Sequence, residues 1–76
     1  QYEFIEAEVL GKSELLNKSI KDSNLPEHIR IGAVLRKEKV IIPKSDFVFE
    51  QDDLVVFLAK RELLKEVESI FRISSL

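Results

Sequence analysis

The sequence predicts an α+β domain: a small, mostly antiparallel sheet with a short helix after strand 1 and a C-terminal amphipathic helix. Three observations predict it. Two segments, Phe4–Leu10 and His28–Arg36, alternate apolar and polar residues with the period of a half-buried strand. A β-branched run, Lys39-Val40-Ile41-Ile42, follows the second segment closely enough to pair with it as a hairpin. Near the end, Leu63, Leu64, Val67, Ile70 and Phe71 fall on one stripe at helical spacing. The order is strand, helix, strand, strand, a short extended piece, strand, helix (β-α-β-β-β-α).

In the first strand Ile5, Ala7 and Val9 share one side and Glu6 and Glu8 the other. Gly11-Lys12 breaks it. Ser13 then reads as an N-cap with Glu14 near the positive end of a helix running to about Lys21, with Leu16 and Ile20 one turn apart on its inner side. Asp22-Ser23-Asn24 stops that helix, and Pro26 keeps Leu25 extended. In the second strand Ile29, Ile31, Ala33 and Leu35 alternate with His28, Arg30, Gly32, Val34 and Arg36. Lys37-Glu38 connects it to the third, which Pro43 ends or places on an edge. Ser45-Asp46 turns the chain, and Phe47 and Phe49 point one way from a short extended piece. After a second turn at Gln51-Asp52-Asp53, Leu54–Ala59 is apolar on both faces, the pattern of a strand covered on both sides. The last helix begins near Arg61, and Ser74-Ser75-Leu76 reads as a frayed tail.

The chain has 76 residues, enough for one domain with a thin margin of stability. It contains no cysteine and one histidine, so neither a disulfide staple nor a thiolate metal site is available. Apolar residues make up 45% and charged residues 34%, the balance of a globular domain. A net charge of −2 argues against a nucleic-acid partner. No apolar run approaches the roughly 20 residues that span a bilayer, so no direct membrane insertion is expected. A start at Gln1 rather than Met is expected of a piece cut from a longer protein.

The stretch Asn24-Leu25-Pro26-Glu27-His28-Ile29-Arg30-Ile31-Gly32-Ala33-Val34-Leu35-Arg36 resembles the central motif of TrkA C-terminal domains, the C-lobes of RCK modules. Gly11-Lys12 and Lys18-Ser19-Ile20 resemble the family's first helix. Val40-Ile41-Ile42-Pro43 resembles its second hairpin strand, Phe49–Phe57 its turn and strand, and Val67–Phe71 its final helix. Two positions depart from the family pattern. Lys37-Glu38 stands where the hairpin turn usually has glycine, and Asp52 replaces the glycine before the turn aspartate.

The resemblance implies a cytoplasmic regulatory domain, peripheral to the inner face of the membrane, that gates a potassium transporter or channel subunit. It also implies a homodimer, with cyclic di-AMP or another nucleotide bound at the dimer interface. NAD or ATP would belong to an upstream Rossmann lobe, because no Gly-x-Gly-x-x-Gly occurs here. The alternatives are a pure dimerisation module without ligand and the regulatory tail of a cation antiporter or other carrier. The resemblance of Val67–Phe71 to a natural C-terminus ranks the separate subunit first.

From the residues themselves, Asn24, Pro26, His28, Arg30 and Arg36 form the candidate ligand set. A loop amide beside a rigid proline, followed by cations on one strand face, suits an anionic nucleotide. The competing reading is that Arg30 and Arg36 only solvate the outer face of a strand and that His28 is a loop or surface histidine. Asp52-Asp53 reads as a turn whose two carboxylates stay in water, and Glu6 and Glu8 as a solvated strand face. No serine has both a base and an orienting acid to serve it, so no enzyme is expected. Phe47, Phe49 and Phe57 read as core.

Overall fold

The apolar run that opens at Leu54 becomes the middle of the sheet in the computed structural model, which describes residues 1–73. Strands β1 (Tyr2–Glu8), β2 (Arg30–Arg36), β3 (Lys39–Ile41), β4 (Leu54–Lys60) and β5 (Arg72–Ile73) form one sheet in the order β3-β2-β4-β1-β5. Every neighbouring pair is antiparallel. A 3₁₀ turn, Arg61–Leu63, leads into helix α1 (Leu64–Glu68). The α+β class and the antiparallel sheet are as the sequence predicts. Ser74, Ser75 and Leu76, expected as tail, lie outside the described residues.

Side chains alternate across the sheet, and its inner face carries the core. Ile5 and Ala7 of β1, Val34 of β2, and Val55, Phe57 and Ala59 of β4 are all buried there. Val67 of α1 and Phe71 beyond it close one side, with the Phe71 ring stacked on Phe57 at 4.9 Å between centroids. Leu15 and Phe49 close the other. Each of the valine, leucine, isoleucine and phenylalanine side chains among them stabilises the fold by about 1.5–3 kcal/mol relative to leaving it exposed.

The helix expected from Ser13 to Lys21 does not form. Ser13 acts only locally, its Oγ accepting the Leu15 N–H at 3.1 Å. Asn17 sits at φ 65°, which a right-handed helix does not accommodate. The backbone instead bonds to the extended piece around Val48. Asn17 N–H donates to the Phe49 carbonyl and Ile20 N–H to the Phe47 carbonyl, both at 2.9 Å, and Phe49 N–H answers to the Lys18 carbonyl at 3.0 Å. Ser19 and Val48 make an isolated antiparallel bridge. A strap of turns therefore lies where the helix was expected, and Leu16 and Ile20 still pack against the core.

The closing helix is also shorter than its apolar stripe. Ile70 and Phe71 N–H both donate to the Val67 carbonyl at 2.9 Å, and the chain then straightens to pair Arg72 and Ile73 with Glu8 and Ala7. This exchange covers the edge of β1 at Ala7 and Glu8. At the hairpin, Lys37 and Glu38 take φ 50° and 68°, the two left-handed residues of a type I′ turn, so Arg36 faces Lys39 without any glycine.

Strand β2 holds the largest departure from simple alternation. Ile31 pairs with Phe57 but Ala33 already pairs with Val56, which leaves Gly32 as the extra residue of a bulge. Ile31 and Val34 consequently face the core, whereas Arg30, Ala33 and Leu35 face out. The face of β4 expected to be covered a second time is only half-buried at Leu54, Val56 and Leu58. Among the described residues, no second layer lies over it.

Candidate functional site

The Gly32 bulge divides the ligand candidates. Arg30 precedes it and points outward, while Arg36 follows it and points to the inner side, so the shared face expected for His28, Arg30 and Arg36 does not exist. Arg36 is instead an anchor. Its Nε donates to Asp53 Oδ1 at 2.8 Å and its Nη2 to Asp53 Oδ2 at 2.7 Å, a fork-to-fork pair. Nη2 also donates to the Val48 carbonyl at 2.9 Å, Nη1 lies 3.2 Å from the Glu50 carboxylate, and the guanidinium sits 4.8 Å above the Phe47 ring. The hydrogen bond to Asp53 holds the Arg36 pKa above its ordinary value against the opposing effect of burial, helped by the charges of Asp53 and Glu50.

The turn aspartates also part company. Asp52 is exposed at φ 74°, as a turn residue in water should be. Asp53 is not in water: its side chain is 1% exposed and accepts the Glu50 N–H at 2.8 Å in addition to Arg36. The register explains this. Leu35 pairs with Leu54, so the next position on each strand brings Arg36 beside Asp53.

His28 is more enclosed than a surface histidine. Its side chain is 10% exposed, neither ring nitrogen has a hydrogen-bond partner among the described residues, and Nε2 lies 3.9 Å from the Glu66 carboxylate of α1. It lines a recess with Tyr2, Lys60 and Glu66, beside the cleft described next.

Asn24, Pro26 and Arg30 do come together. They line a cleft of about 580 Å³ between the loop that enters β2 and the segment that leaves β3. Asn24 stands at φ 52°, Pro26 accepts the Ile29 N–H at 3.1 Å, and Arg30 Nη1 is held by the Glu27 carbonyl at 3.1 Å. The walls include residues that sequence reasoning missed: Lys21 and Lys44, with Ile20, Leu25 and Pro43 as apolar lining. Lys21, Arg30 and Lys44 oppose one carboxylate, Glu27, so the cleft is cationic over an apolar floor. The missed wall had a signal. Val34 faces Ile41 across the hairpin, and that register returns Pro43-Lys44 alongside Ile31.

Chemically, the cleft suits a medium-sized anion with apolar surface: its volume is that of a small-molecule pocket, and its cations are the donors that phosphate accepts. Among the described residues, no three His, Asp or Glu side chains gather to hold a metal ion, and no helix is long and apolar enough to cross a membrane.

Residues 4–72 match the family model of the TrkA-C domain. The chain is 42% identical over 72 residues to the Trk system potassium uptake protein TrkA of Azorhizobium caulinodans, covering 95% of this chain and 16% of that protein. It is 34% identical over 64 residues to a TrkA homolog of Archaeoglobus fulgidus, covering 84% and 15%. The chain thus spans about one-sixth of the length of these relatives. A solved structure described as an RCK domain with cda superposes with a TM-score of 0.75 at 18% identity, covering 91% of this chain and 97% of the other. That likeness concerns the fold.

Proposed function

The chain belongs to the TrkA-C domain family, and from that premise we propose that it is the ligand-sensing regulatory lobe of a potassium-uptake protein. The observation that carries the reading is the cationic cleft of Lys21, Arg30 and Lys44 over Leu25, Pro26 and Pro43. Phosphate groups of a nucleotide, cyclic di-AMP foremost, take the guanidinium of Arg30 and the two ammonium groups. A base takes the apolar wall, and the Asn24 amide supplies a hydrogen bond to it. Support for the potassium role comes from the relatives, which are named as potassium uptake proteins.

The mechanism is regulatory rather than catalytic. The cleft is built from two segments separated in sequence, the loop before β2 and the chain after β3. A ligand bridging them favours one spacing of those segments. It shifts an equilibrium between two arrangements of the longer protein only as far as it prefers one of them. The longer protein acts from the cytoplasmic side on a membrane potassium transporter or channel subunit, and any NAD or ATP binds outside these residues.

Calorimetry and thermal shift against cyclic di-AMP, ATP and NAD test the reading. Cyclic di-AMP is expected to bind and raise the melting temperature, and Arg30→Ala and Lys44→Ala each to weaken binding by about tenfold. Absence of heat and of any melting shift with all three nucleotides would remove the sensing role from this lobe.

A further inference from the structure

We propose that His28 and Glu66 form a proton-operated latch between helix α1 and the loop entering β2, and that this latch regulates the cleft. Its effect on ligand binding rests on the proposed sensing role; the latch itself does not. One loop serves both places. Pro26, Glu27 and Arg30 line the cleft on one side and the His28 recess on the other. Ile29 N–H donates to the Pro26 carbonyl and Arg30 Nη1 to the Glu27 carbonyl, both at 3.1 Å, so residues 26–30 move as one turn.

His28 sits in this turn with its hydrogen-bonding capacity unused. Buried polar atoms almost always have partners, yet among the described residues both of its ring nitrogens lack one. A neutral ring gains nothing here from its one donor or its one acceptor. A proton changes both ends of the ring, and histidine is the residue type that takes one up near neutral pH. Nε2–H then faces Glu66, whose carboxylate has to approach by only about 1 Å to reach a charge-assisted hydrogen bond. Glu66 is 52% exposed, so its side chain has room to close that gap. Nδ1 becomes a second donor without an acceptor, so the ring turns towards the open recess and the 26–30 turn follows. The other groups facing the ring are the Tyr2 phenol from β1, Lys60 from β4, and Glu27 and Arg30 from its own segment. Lys60 and Arg30 oppose the proton and Glu27 favours it, but all three are exposed and screened by water. Glu66 supplies the one carboxylate oxygen within 4 Å of the ring nitrogens among the described residues. The new charge stands two residues from Arg30, so acidification also adds positive potential at the cleft.

NMR of the 76-residue chain between about pH 8.5 and about pH 5.5 tests the latch. The matched solved chain is 97% covered, so a chain of this extent forms the fold. His28 is the one histidine present, and its ring signals report its protonation directly. The amide shifts of residues 24–30 and of Leu64–Glu68 are expected to move together with the ring. Glu66→Gln, a change at a half-exposed side chain, is expected to remove the response of the helix while the ring still titrates. A ring that keeps one protonation state throughout overturns the latch. So does a helix that stays still while the wild-type ring titrates, or one whose shifts survive Glu66→Gln. Calorimetry with cyclic di-AMP, whose phosphodiester groups keep their charge over this range, then reads the cleft. Binding is expected to be about two- to fourfold tighter near pH 6 than near pH 8 in the wild type, and equal at the two in His28→Gln. Equal wild-type affinities overturn the regulation. If cyclic di-AMP binds at neither pH, the sensing role fails and the regulation falls with it, whereas the amide shifts still decide the latch.

Discussion

The Arg36–Asp53 pair should dominate the stability of this domain, and its two halves should be unequal. Arg36→Ala leaves a carboxylate that is 1% exposed with one remaining donor, the Glu50 N–H. Removing one partner of a buried pair costs about 3–5 kcal/mol, and here the contacts to Phe47 and the Val48 carbonyl go as well. Asp53→Ala leaves a guanidinium that is 23% exposed and keeps Glu50 and the Val48 carbonyl. Its cost should be lower, about 2–3 kcal/mol. A chain of this length has only about 4–11 kcal/mol in total. At about 4–8 °C per kcal/mol, Arg36→Ala should lower the melting temperature by about 12 °C or more and Asp53→Ala by about 8 °C or more. Thermal melts followed by far-UV circular dichroism measure both. The double variant Arg36→Met with Asp53→Leu should cost less than the sum of the single losses, because no charge is then stranded. Two single variants within about 4 °C of wild type, or Asp53→Ala the costlier, would refute the reasoning.

The hairpin turn holds two non-glycine residues at positive φ, each strained by about 1 kcal/mol. Lys37→Asn with Glu38→Gly should therefore raise the midpoint of urea unfolding, with a gain of about 1–2 kcal/mol, and no gain would contradict the type I′ assignment. At the bulge, a Cβ on Gly32 would have the Val56 carbonyl oxygen as its nearest neighbour, at an ordinary 3.7 Å, and Gly32 is not at positive φ. Gly32→Ala should accordingly be neutral or stabilising by about 0.4–1 kcal/mol in the same assay. A loss above about 2 kcal/mol would mean that the bulge needs glycine for a further reason.

What could be read from sequence divides along a physical line. Strands β1 and β2 were legible because one face of each is buried and burial imposes period 2, whereas β4 was legible as an unbroken apolar run after a turn. The hairpin was legible despite Lys37-Glu38, since β-branched runs flank it. The strap from Ser13 to Lys21 was not: its residues have a helical start signal, but its N–H groups are claimed by Phe47 and Phe49, partners some thirty residues away. Arg36 misled for a similar reason. Alternation counted through Gly32 puts it with Arg30, and only pairing with β4 reveals the extra residue. Asn24, Pro26 and Arg30, which line one cleft, could be grouped beforehand because a proline loop feeding a cationic strand is a local signal. Lys21 and Lys44 reach the cleft through tertiary folding.

The place of β1 between β4 and β5 has a kinetic consequence. Only β2 and β3 are joined by a tight turn; β1 finds its partners at Leu54–Lys60 and Arg72–Ile73, at the far end of the chain. Loop closure over that distance must precede the contacts that reward it. On a ribosome adding about 5–20 residues per second, β1 waits for seconds with an apolar face unpaired. Folding of this lobe thus waits until nearly all of its own residues have been added, with the β2–β3 hairpin formed well before the central strands are joined.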